Sequence, residues 1–217
     1  MQNYVDVAYD KNEKPLTSYP DELARYLCDR FSMQPGMKLL DNGCGRGDFL
    51  EAFSRLGLET CGTDIVQGCR QTQLVDLNHG ELPFPEGTFD VVFSKSVIEH
   101  IEKQEHYMQE MRRVLKDDGL LIILVPDWKT QRIIFYEDPT HIHPYTQKSI
   151  DRLLNMMGFR GVSSEEFIQL PTVWKYPVLK SICRVLQLLG PVKRVYKNKF
   201  FRFSRELMIL GTGRKLY

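Results

Sequence analysis

The sequence lacks a long hydrophobic run and any pattern of paired cysteines. Its longest apolar run, Leu120–Val125, has the length of a buried strand, whereas a membrane-spanning helix needs about 20 apolar residues. The first residues, Met-Gln-Asn-Tyr-Val-Asp, have neither the basic start nor the apolar stretch of a secretory signal. Five cysteines, without a Cys-x-x-Cys pair, make neither a disulfide framework nor a zinc site. We therefore expect a protein of the reducing cytoplasm.

Acidic residues are missing from residues 172–205. This segment carries nine basic residues, whereas the whole chain has a net charge of +1. The rest of the chain is therefore acidic, and such an asymmetry suggests an anionic partner for the basic segment. The nine residues are Lys175, Lys180, Arg184, Lys193, Arg194, Lys197, Lys199, Arg202 and Arg205.

Two interpretations of the basic segment stay open. Apolar residues from Val178 to Leu189 recur at helical spacing, with Lys180 and Arg184 on another face. Such a helix can cover a sheet edge with its lysines in solvent. It can also lie on an anionic membrane at the inner face, next to a lipid-linked acceptor. Nucleic acid is not the expected partner, because basic and aromatic residues interleave only in Lys197–Phe203.

Strand and helix patterns alternate along the chain. Ser18 and Thr146 stand where helices would be capped, and Gly158 follows the second of these helices. The alternation predicts one α/β domain with a Rossmann-like, doubly wound, mostly parallel sheet. We expect its last strand to be antiparallel. We divide it into an N-terminal helical cap (1–36), a core (37–169), a basic helical insertion (170–204) and the last strand (205–217). The predicted strands are Met37–Leu40, Glu59–Asp64, Gln73–Val75, Phe89–Ser94, Leu120–Val125, Val162–Ile168 and Leu207–Thr212.

A glycine-rich turn joins the first predicted strand to a helix. Gly43, Gly45 and Gly47 let the backbone turn sharply and approach a ligand, and the helix start offers N–H groups. Their spacing differs from the dinucleotide fingerprint, and the alternative is a tight turn without a ligand. Asp64 ends the second strand about 20 residues later, where a doubly wound sheet places an acid for ribose hydroxyls.

Together with three later motifs, these residues resemble the class I S-adenosylmethionine (SAM)-dependent methyltransferases. The resemblance is to the group around ubiquinone and menaquinone biosynthesis, and it runs from Leu39 to Phe159. The later motifs are Asp76-Leu77, Leu82–Val92 before the fourth strand and Arg113–Leu121 before the fifth. The resemblance implies SAM as cofactor and S-adenosylhomocysteine as product. The cationic sulfonium of SAM also suits an acidic body.

The resemblance assigns the cofactor-binding residues. Asp41 and the glycine turn would hold the methionine part of SAM, with Cys44 as a small packing residue. Asp64 would hold the ribose, Ile65 would lie against the adenine, and Asp76 with Leu77 would reach its amino group. Ser94, at the end of the fourth strand, completes the set. The full set is Asp41, Gly43, Cys44, Gly45, Gly47, Asp64, Ile65, Asp76, Leu77 and Ser94.

Three histidines are candidate catalytic residues. His100 follows the fourth strand, and His141 and His143 follow the fifth, so all lie at the edge where such sheets bind ligands. A hydroxyl acceptor benefits from a base, most often histidine; the alternative is that His141 or His143 only stabilises its loop. We predict in-line methyl transfer to oxygen of a small-molecule or lipid- or sugar-linked acceptor. The alternatives are an RNA methyltransferase and a SAM-binding regulatory protein without transfer.

A metal is the rival explanation of the same histidines. The ubiquinone-pathway O-methyltransferases of this group carry Glu-x-x-Glu-His here and can bind a divalent cation with it. This sequence keeps Glu99 and His100 but has Ser96 in place of the first glutamate. The substitution removes one ligand, so we predict no metal.

Overall fold

A computed structural model describes residues 16–194 and 196–216, which form a seven-stranded sheet covered by helices. The spatial order of the strands is β3-β2-β1-β4-β5-β7-β6. Neighbouring strands from β3 to β5 are parallel, and β7 runs antiparallel to β5 and β6. The predicted fold class is confirmed. The strands are β1 (Lys38–Asn42), β2 (Glu59–Asp64), β3 (Thr72–Leu74), β4 (Phe89–Lys95), β5 (Leu115–Pro126), β6 (Phe159–Phe167) and β7 (Met208–Lys215).

Eight α-helices connect or flank these strands in the described part of the chain. Two 3-10 turns, Ile98–His100 and Phe135–Glu137, follow β4 and β5 respectively. None of the helices in residues 16–194 and 196–216 is long and apolar enough to cross a membrane. The helices are α1 (Tyr19–Phe31), α2 (Asp48–Arg55), α3 (Gln104–Val114), α4 (Trp128–Gln131), α5 (Gln147–Met156), α6 (Pro171–Lys175), α7 (Leu179–Gln187) and α8 (Lys199–Phe203).

The central strands are buried on both faces, as parallel strands covered by helices should be. Successive residues point to opposite layers: Leu39 and Val91 pack with α1 and α2, whereas Leu40 and Val92 pack with α3 and α5. This two-sided burial fixes the sheet rigidly beneath its carboxyl edge, where the loops after β1, β2, β4 and β5 lie.

One of the two predicted helix caps is present. At α5 the Thr146 hydroxyl accepts from the Ser149 N–H at 3.3 Å, and the Ser149 hydroxyl accepts from the Thr146 N–H at 2.8 Å. This reciprocal pair satisfies two donors that the helix start would leave open. The cap predicted at Ser18 is wrong, because its hydroxyl donates to Glu22 Oε1 at 2.7 Å instead of accepting from the backbone.

The fifth strand begins earlier than the sequence pattern indicates. The pattern predicts a strand from Leu120 to Val125, but β5 starts at Leu115 and includes Asp117–Gly119. The register with β4 shifts there: Phe89 pairs with Leu115, and Val91 pairs with Leu120. The extra residues on β5 form a bulge in which Asp118 has a φ of 59°. Because a bulge uses the same turn-forming residues as a helix end, the sequence pattern does not distinguish them.

The basic insertion lies between β6 and β7 in the chain and comprises α6, α7 and α8. The Trp174 ring of α6 lies 4.8 Å from the Tyr26 ring of α1, which ties the insertion to the helical layer. At its far end, the Val192 N–H donates to the Thr130 carbonyl of α4 at 2.7 Å. The insertion therefore adjoins the segment that follows β5.

Candidate active site

A cavity of ≈ 390 Å³ opens at the carboxyl edge of the sheet. It lies where the strand order turns from β1 to β4, the switch point at which doubly wound sheets bind ligands. The loops after β1, β2, β3, β4 and β5 all contribute to it. Its lining residues are Gly43, Asp64, Ile65, Asp76, Leu77, Asn78, Ser96, Val97, Glu99, His100, Ile101, Pro126, Asp138, Thr140 and His141.

The glycine turn after β1 is shaped for close approach. Gly43 has a φ of 89°, and a Cβ there would lie 2.3 Å from Val97 Cγ2. A side chain at this position is therefore excluded by both backbone conformation and space. The Gly43 and Cys44 N–H groups donate to the Thr63 carbonyl at 2.8 and 2.9 Å, which joins the turn to β2.

Asp41 lies beneath this turn in a nearly dry environment. Its side chain is buried, and its Oδ2 accepts no hydrogen bond from residues 16–194 and 196–216. Burial, together with the negative charge of Asp64 and against the opposing charge of Lys95, raises the pKa of the Asp41 carboxyl to about 8. A buried carboxylate oxygen without a donor fits a ligand that brings a positive charge or an N–H group.

The residues predicted to hold the ribose and adenine lie together on one side of the cavity. Asp64 Oδ2 accepts from the Gly45 N–H at 2.8 Å, which orients this carboxylate beside the turn. Ile65 is 65% exposed and Leu77 is buried, and both face the cavity as apolar wall. Asp76 accepts from the Asn78 N–H, which holds the pKa of its carboxyl below the usual range. An ionised acid and an apolar wall fit a heterocycle with an amino group.

Four of the predicted cofactor residues do not line this cavity, and Asp41 lies below it. Gly45 and Gly47 shape the turn through positive φ values of 52° and 87°. Cys44 is buried, and burial raises the pKa of its thiol to about 12, which disfavours the thiolate. The Ser94 hydroxyl lies 2.7 Å from the Tyr107 hydroxyl in a buried pair. Ser94 therefore stays a prediction that the geometry does not bring to the cavity.

His100 ends a short chain of hydrogen bonds. Its Nδ1 lies 2.8 Å from Thr140 Oγ1, and the Thr140 hydroxyl lies 2.6 Å from Asp138 Oδ1. A carboxylate only accepts, so the Thr140 hydroxyl donates to Asp138 and accepts from the His100 ring. This arrangement places the proton of the neutral His100 ring on Nδ1 and its lone pair on Nε2.

His141 is held in the same tautomer by a different partner. Its Nδ1 lies 2.7 Å from the Phe135 carbonyl oxygen, which can only accept, so Nδ1 carries the proton. The Phe135 ring packs against the imidazole at 4.4 Å, and the His100 ring lies 4.7 Å from it. Both imidazoles line the cavity, whereas His143 does not: its backbone N–H donates to the Glu99 carbonyl at 3.1 Å.

Sequence reasoning missed the roles of Asp138 and Thr140. Both line the cavity and orient His100. The Thr140 N–H also donates to Asp138 Oδ1 at 2.9 Å, closing an Asx turn. The signal was the order Asp138-Pro139-Thr140-His141, because an Asp two residues before a Thr favours this turn. The residue that uses the turn, His100, comes from another loop, and nothing local to either loop indicates that pairing.

Glu99, His100 and His141 form a cluster with the donor atoms of a metal site. One ligand atom from each lies within 4.8 Å of the others, and Glu99 is buried. Ser96 also lines the cavity, with a φ of 57°. The structure thus supplies a third donor, His141, that the motif after β4 does not contain. The sequence prediction that no metal is used stays a prediction.

The residues of this site fit SAM, and comparisons with known proteins agree. A family model described as a methyltransferase domain matches residues 16–164. The chain therefore belongs to the methyltransferase domain family. It is a SAM-dependent methyltransferase with a Rossmann-like fold.

Three curated relatives illustrate which proteins this chain resembles in sequence. An uncharacterised protein of Methanocaldococcus jannaschii is 27% identical over 86% of both chains. The ubiquinone biosynthesis O-methyltransferase of a Ruegeria species is 27% identical, over 66% of this chain and 68% of its own. The demethylmenaquinone methyltransferase of Tropheryma whipplei is 28% identical over 57% of this chain. This chain spans 56% of the length of that last relative.

Solved structures share the fold. A SAM-dependent methyltransferase from Archaeoglobus fulgidus has a TM-score of 0.67 and 22% identity, over 98% of this chain and all of that one. A Haemonchus contortus phosphoethanolamine N-methyltransferase, solved with phosphomonomethylethanolamine and S-adenosylhomocysteine, has a TM-score of 0.64 at 17% identity. It is matched over all of this chain and 61% of its own. The predicted family and cofactor are confirmed.

Proposed function

We propose that the protein transfers the methyl group of SAM to a hydroxyl oxygen of a small-molecule or lipid- or sugar-linked acceptor in the cytoplasm. The observation that carries this proposal is the pair His100 and His141, whose tautomers direct both lone pairs to Nε2 in the cavity. A neutral amine brings its own lone pair to a methyl group, whereas a hydroxyl must lose a proton as it attacks. Two imidazoles prepared to accept a proton therefore favour oxygen.

The residues divide the work between holding and proton transfer. When bound, SAM supplies a methyl group on a cationic sulfur, which keeps the electron pair of the broken carbon–sulfur bond. Asp41, Gly43 and Asp64 would hold SAM. Nε2 of His100 or His141 takes the hydroxyl proton as the oxygen–carbon bond forms. Alignment of the two reactants supplies most of the acceleration, because the displacement needs the oxygen in line with the leaving sulfur.

The hydrogen bonds from His100 through Thr140 to Asp138 support the role of His100 as a base. Asp138, through Thr140, stabilises the imidazolium that forms when Nε2 accepts the proton. A curated relative named as an O-methyltransferase agrees with oxygen as the acceptor atom. The residues that would hold SAM and the two bases line one continuous cavity, or lie directly beneath it, so cofactor and acceptor can meet there.

Transfer from trideuteromethyl-labelled SAM tests the proposal. The holoenzyme is incubated with small-molecule, lipid and RNA fractions of a cell extract, and labelled products are found by mass spectrometry. We expect a labelled methyl ether or ester in the small-molecule or lipid fraction, lost when His100 and His141 are both replaced by alanine. Label on nitrogen, on carbon or in RNA would overturn the proposed acceptor, and no label in any fraction would favour a SAM-binding regulatory protein.

A further inference from the structure

The basic insertion exposes an apolar stripe instead of burying all of it. On α7 and the residues beside it, Val178, Ile182, Val185 and Leu189 follow one another at spacings of four, three and four, so they share one face. Together with Tyr176 and Leu188 they are between 50% and 84% exposed. The neighbouring face, with Leu179 and the buried Cys183, packs against Leu170 and Val173. One apolar face of α7 thus packs against the rest of the insertion, and the apolar stripe remains in solvent.

Seven of the nine cations of the insertion are exposed and have no acidic partner among the described residues. Arg202 pairs with Glu206 at 2.6 Å, and Arg205 is buried and donates to the Gly190 carbonyl at 3.0 Å, so these two serve the fold. No carboxylate within residues 16–194 and 196–216 lies within 4.0 Å of the other seven, so attraction to the acidic body does not account for them. The seven exposed cations are Lys175, Lys180, Arg184, Lys193, Arg194, Lys197 and Lys199.

The position of this surface relates it to the cavity. The Val192 N–H and the Leu207 N–H both donate to Thr130, on its carbonyl oxygen and its hydroxyl respectively. Thr130 belongs to α4, and the chain runs from there through Phe135 to His141. The insertion therefore contacts the segment after β5 that carries Asp138, Thr140 and His141 to the cavity.

We propose that the face formed by residues 175–194 and 196–199 docks on the surface of an anionic phospholipid bilayer. Exposed aliphatic side chains flanked by lysine and arginine have the chemistry of a helix lying at a lipid–water interface. An RNA-binding surface stacks successive bases on several exposed aromatic rings, whereas this face exposes Tyr176 and packs Phe200 and Phe203 inward against the cluster around Val173. Docking would favour lipid-linked acceptors, and this choice of substrate class rests on the proposed function. The docking itself is independent of the proposed function.

Vesicle co-sedimentation of the full chain tests the docking. Vesicles of phosphatidylcholine alone and with 30% phosphatidylglycerol, as roughly physiological compositions, are compared at about 0.1 M and 1 M NaCl. We expect wild type to bind the anionic vesicles at low salt. Because each charge near the surface contributes about fivefold to partitioning, replacing four of them with glutamine should weaken binding by at least about 25-fold if only two reach the lipid. That variant is Lys193→Gln, Arg194→Gln, Lys197→Gln and Lys199→Gln.

A second variant tests the apolar stripe, and matched controls test specificity. The apolar stripe should hold part of the protein on the vesicles at high salt, where charge attraction is screened. Ile182→Ser, Val185→Ser and Leu189→Ser together should abolish this remaining vesicle binding. Met156 is an exposed methionine on α5, so Met156→Ser is the apolar control. The charge control is Arg25→Gln, Lys148→Gln, Arg152→Gln and Arg160→Gln, on exposed residues outside the insertion. Both controls should bind like wild type, and every variant should keep its melting temperature and its affinity for SAM.

Three outcomes would overturn the docking. In the first, wild type does not bind anionic vesicles at low salt. In the second, the charge control loses as much vesicle binding as the fourfold glutamine variant of the insertion. In the third, tRNA at equal charge concentration displaces the protein from the vesicles. A stripe variant that binds vesicles normally but converts a wild-type dimer to a monomer, by light scattering, would instead assign the stripe to a second copy. Vesicle binding is measured without an acceptor, so a failure of methyl transfer contradicts the proposed function alone.

Discussion

The protons on two imidazoles are set by neighbours that accept a hydrogen bond from Nδ1. The Phe135 carbonyl fixes the proton of His141, and Thr140 together with Asp138 fixes that of His100. A base whose tautomer is already correct needs no rearrangement before it accepts a proton, which is the role of the carboxylate in hydrolytic triads. His143 has its backbone in the same loop but its ring outside the cavity.

The pair His141 and His143 provides a matched test of this assignment. His141→Ala should lower turnover by about 10²-fold or more while SAM affinity is unchanged, because His141 is not among the residues that would hold SAM. His143→Ala should keep near-normal turnover. Equal losses in both variants would mean that the loop, not the base, is required.

Asp41 gives a prediction about protons. Its pKa of about 8 in the protein, against 3.8 for a free carboxyl, means that the native state without ligand holds a proton that the unfolded chain releases. This group therefore lowers stability as pH rises from about 4 to 8. A cationic ligand should reverse the effect by favouring the carboxylate. Titration calorimetry with SAM at pH 7, in two buffers of different ionisation enthalpy, should show proton release that Asp41→Asn lacks.

The same calorimetry contains its own control. Protons that come from SAM itself appear equally in wild type and in Asp41→Asn, so the difference reports Asp41. Equal proton release in the two proteins would remove Asp41 from the cationic part of the cofactor site.

At the scale of elements, the loops after β4 and β5 together create a cluster that neither contains alone. Glu99 and His100 come from one loop and His141 from the other. We expect turnover to be unchanged by EDTA and by added Mg²⁺, because Mg²⁺ prefers six oxygen ligands and two of these three donors are imidazoles. A rate that falls with EDTA and returns with Zn²⁺ or Mn²⁺ would make the cluster a metal site.

The elements also show how far sequence reasoning reaches. The central strands β1, β4 and β5 were predictable from buried apolar runs, and part of the cavity lining from the motif residues Gly43, Asp64 and Asp76. The cap at Ser18 failed for a local reason, because its hydroxyl donates to Glu22 four residues along the chain. The bulge in β5 was not predictable, because it depends on the register with β4. The relay to His100 is nonlocal for the same reason.

At the scale of the whole molecule, the last strand completes the sheet from within. β7 lies between β5 and β6, and β6 is an edge strand whose neighbour in the sheet is β7. Ending the chain after Phe203 should therefore leave β6 without a partner and expose the Ile209 and Leu210 contacts of both layers. We expect the shortened chain to lose near-ultraviolet circular dichroism and cooperative melting. A shortened chain that melts cooperatively would show that β6 docks by another route.

The insertion begins and ends at neighbouring points of the sheet. Phe167 closes β6 and Met208 opens β7, and these two residues pair directly in the antiparallel ladder. Two paired residues are only about 5 Å apart, so the intervening chain spans no distance, and the sheet register places no requirement on its length. The insertion is a side loop of a hairpin: its surface can change in size, charge or partner while the catalytic framework keeps its geometry. Under the proposed docking, changes in this surface would alter membrane binding without altering the reaction in the cavity.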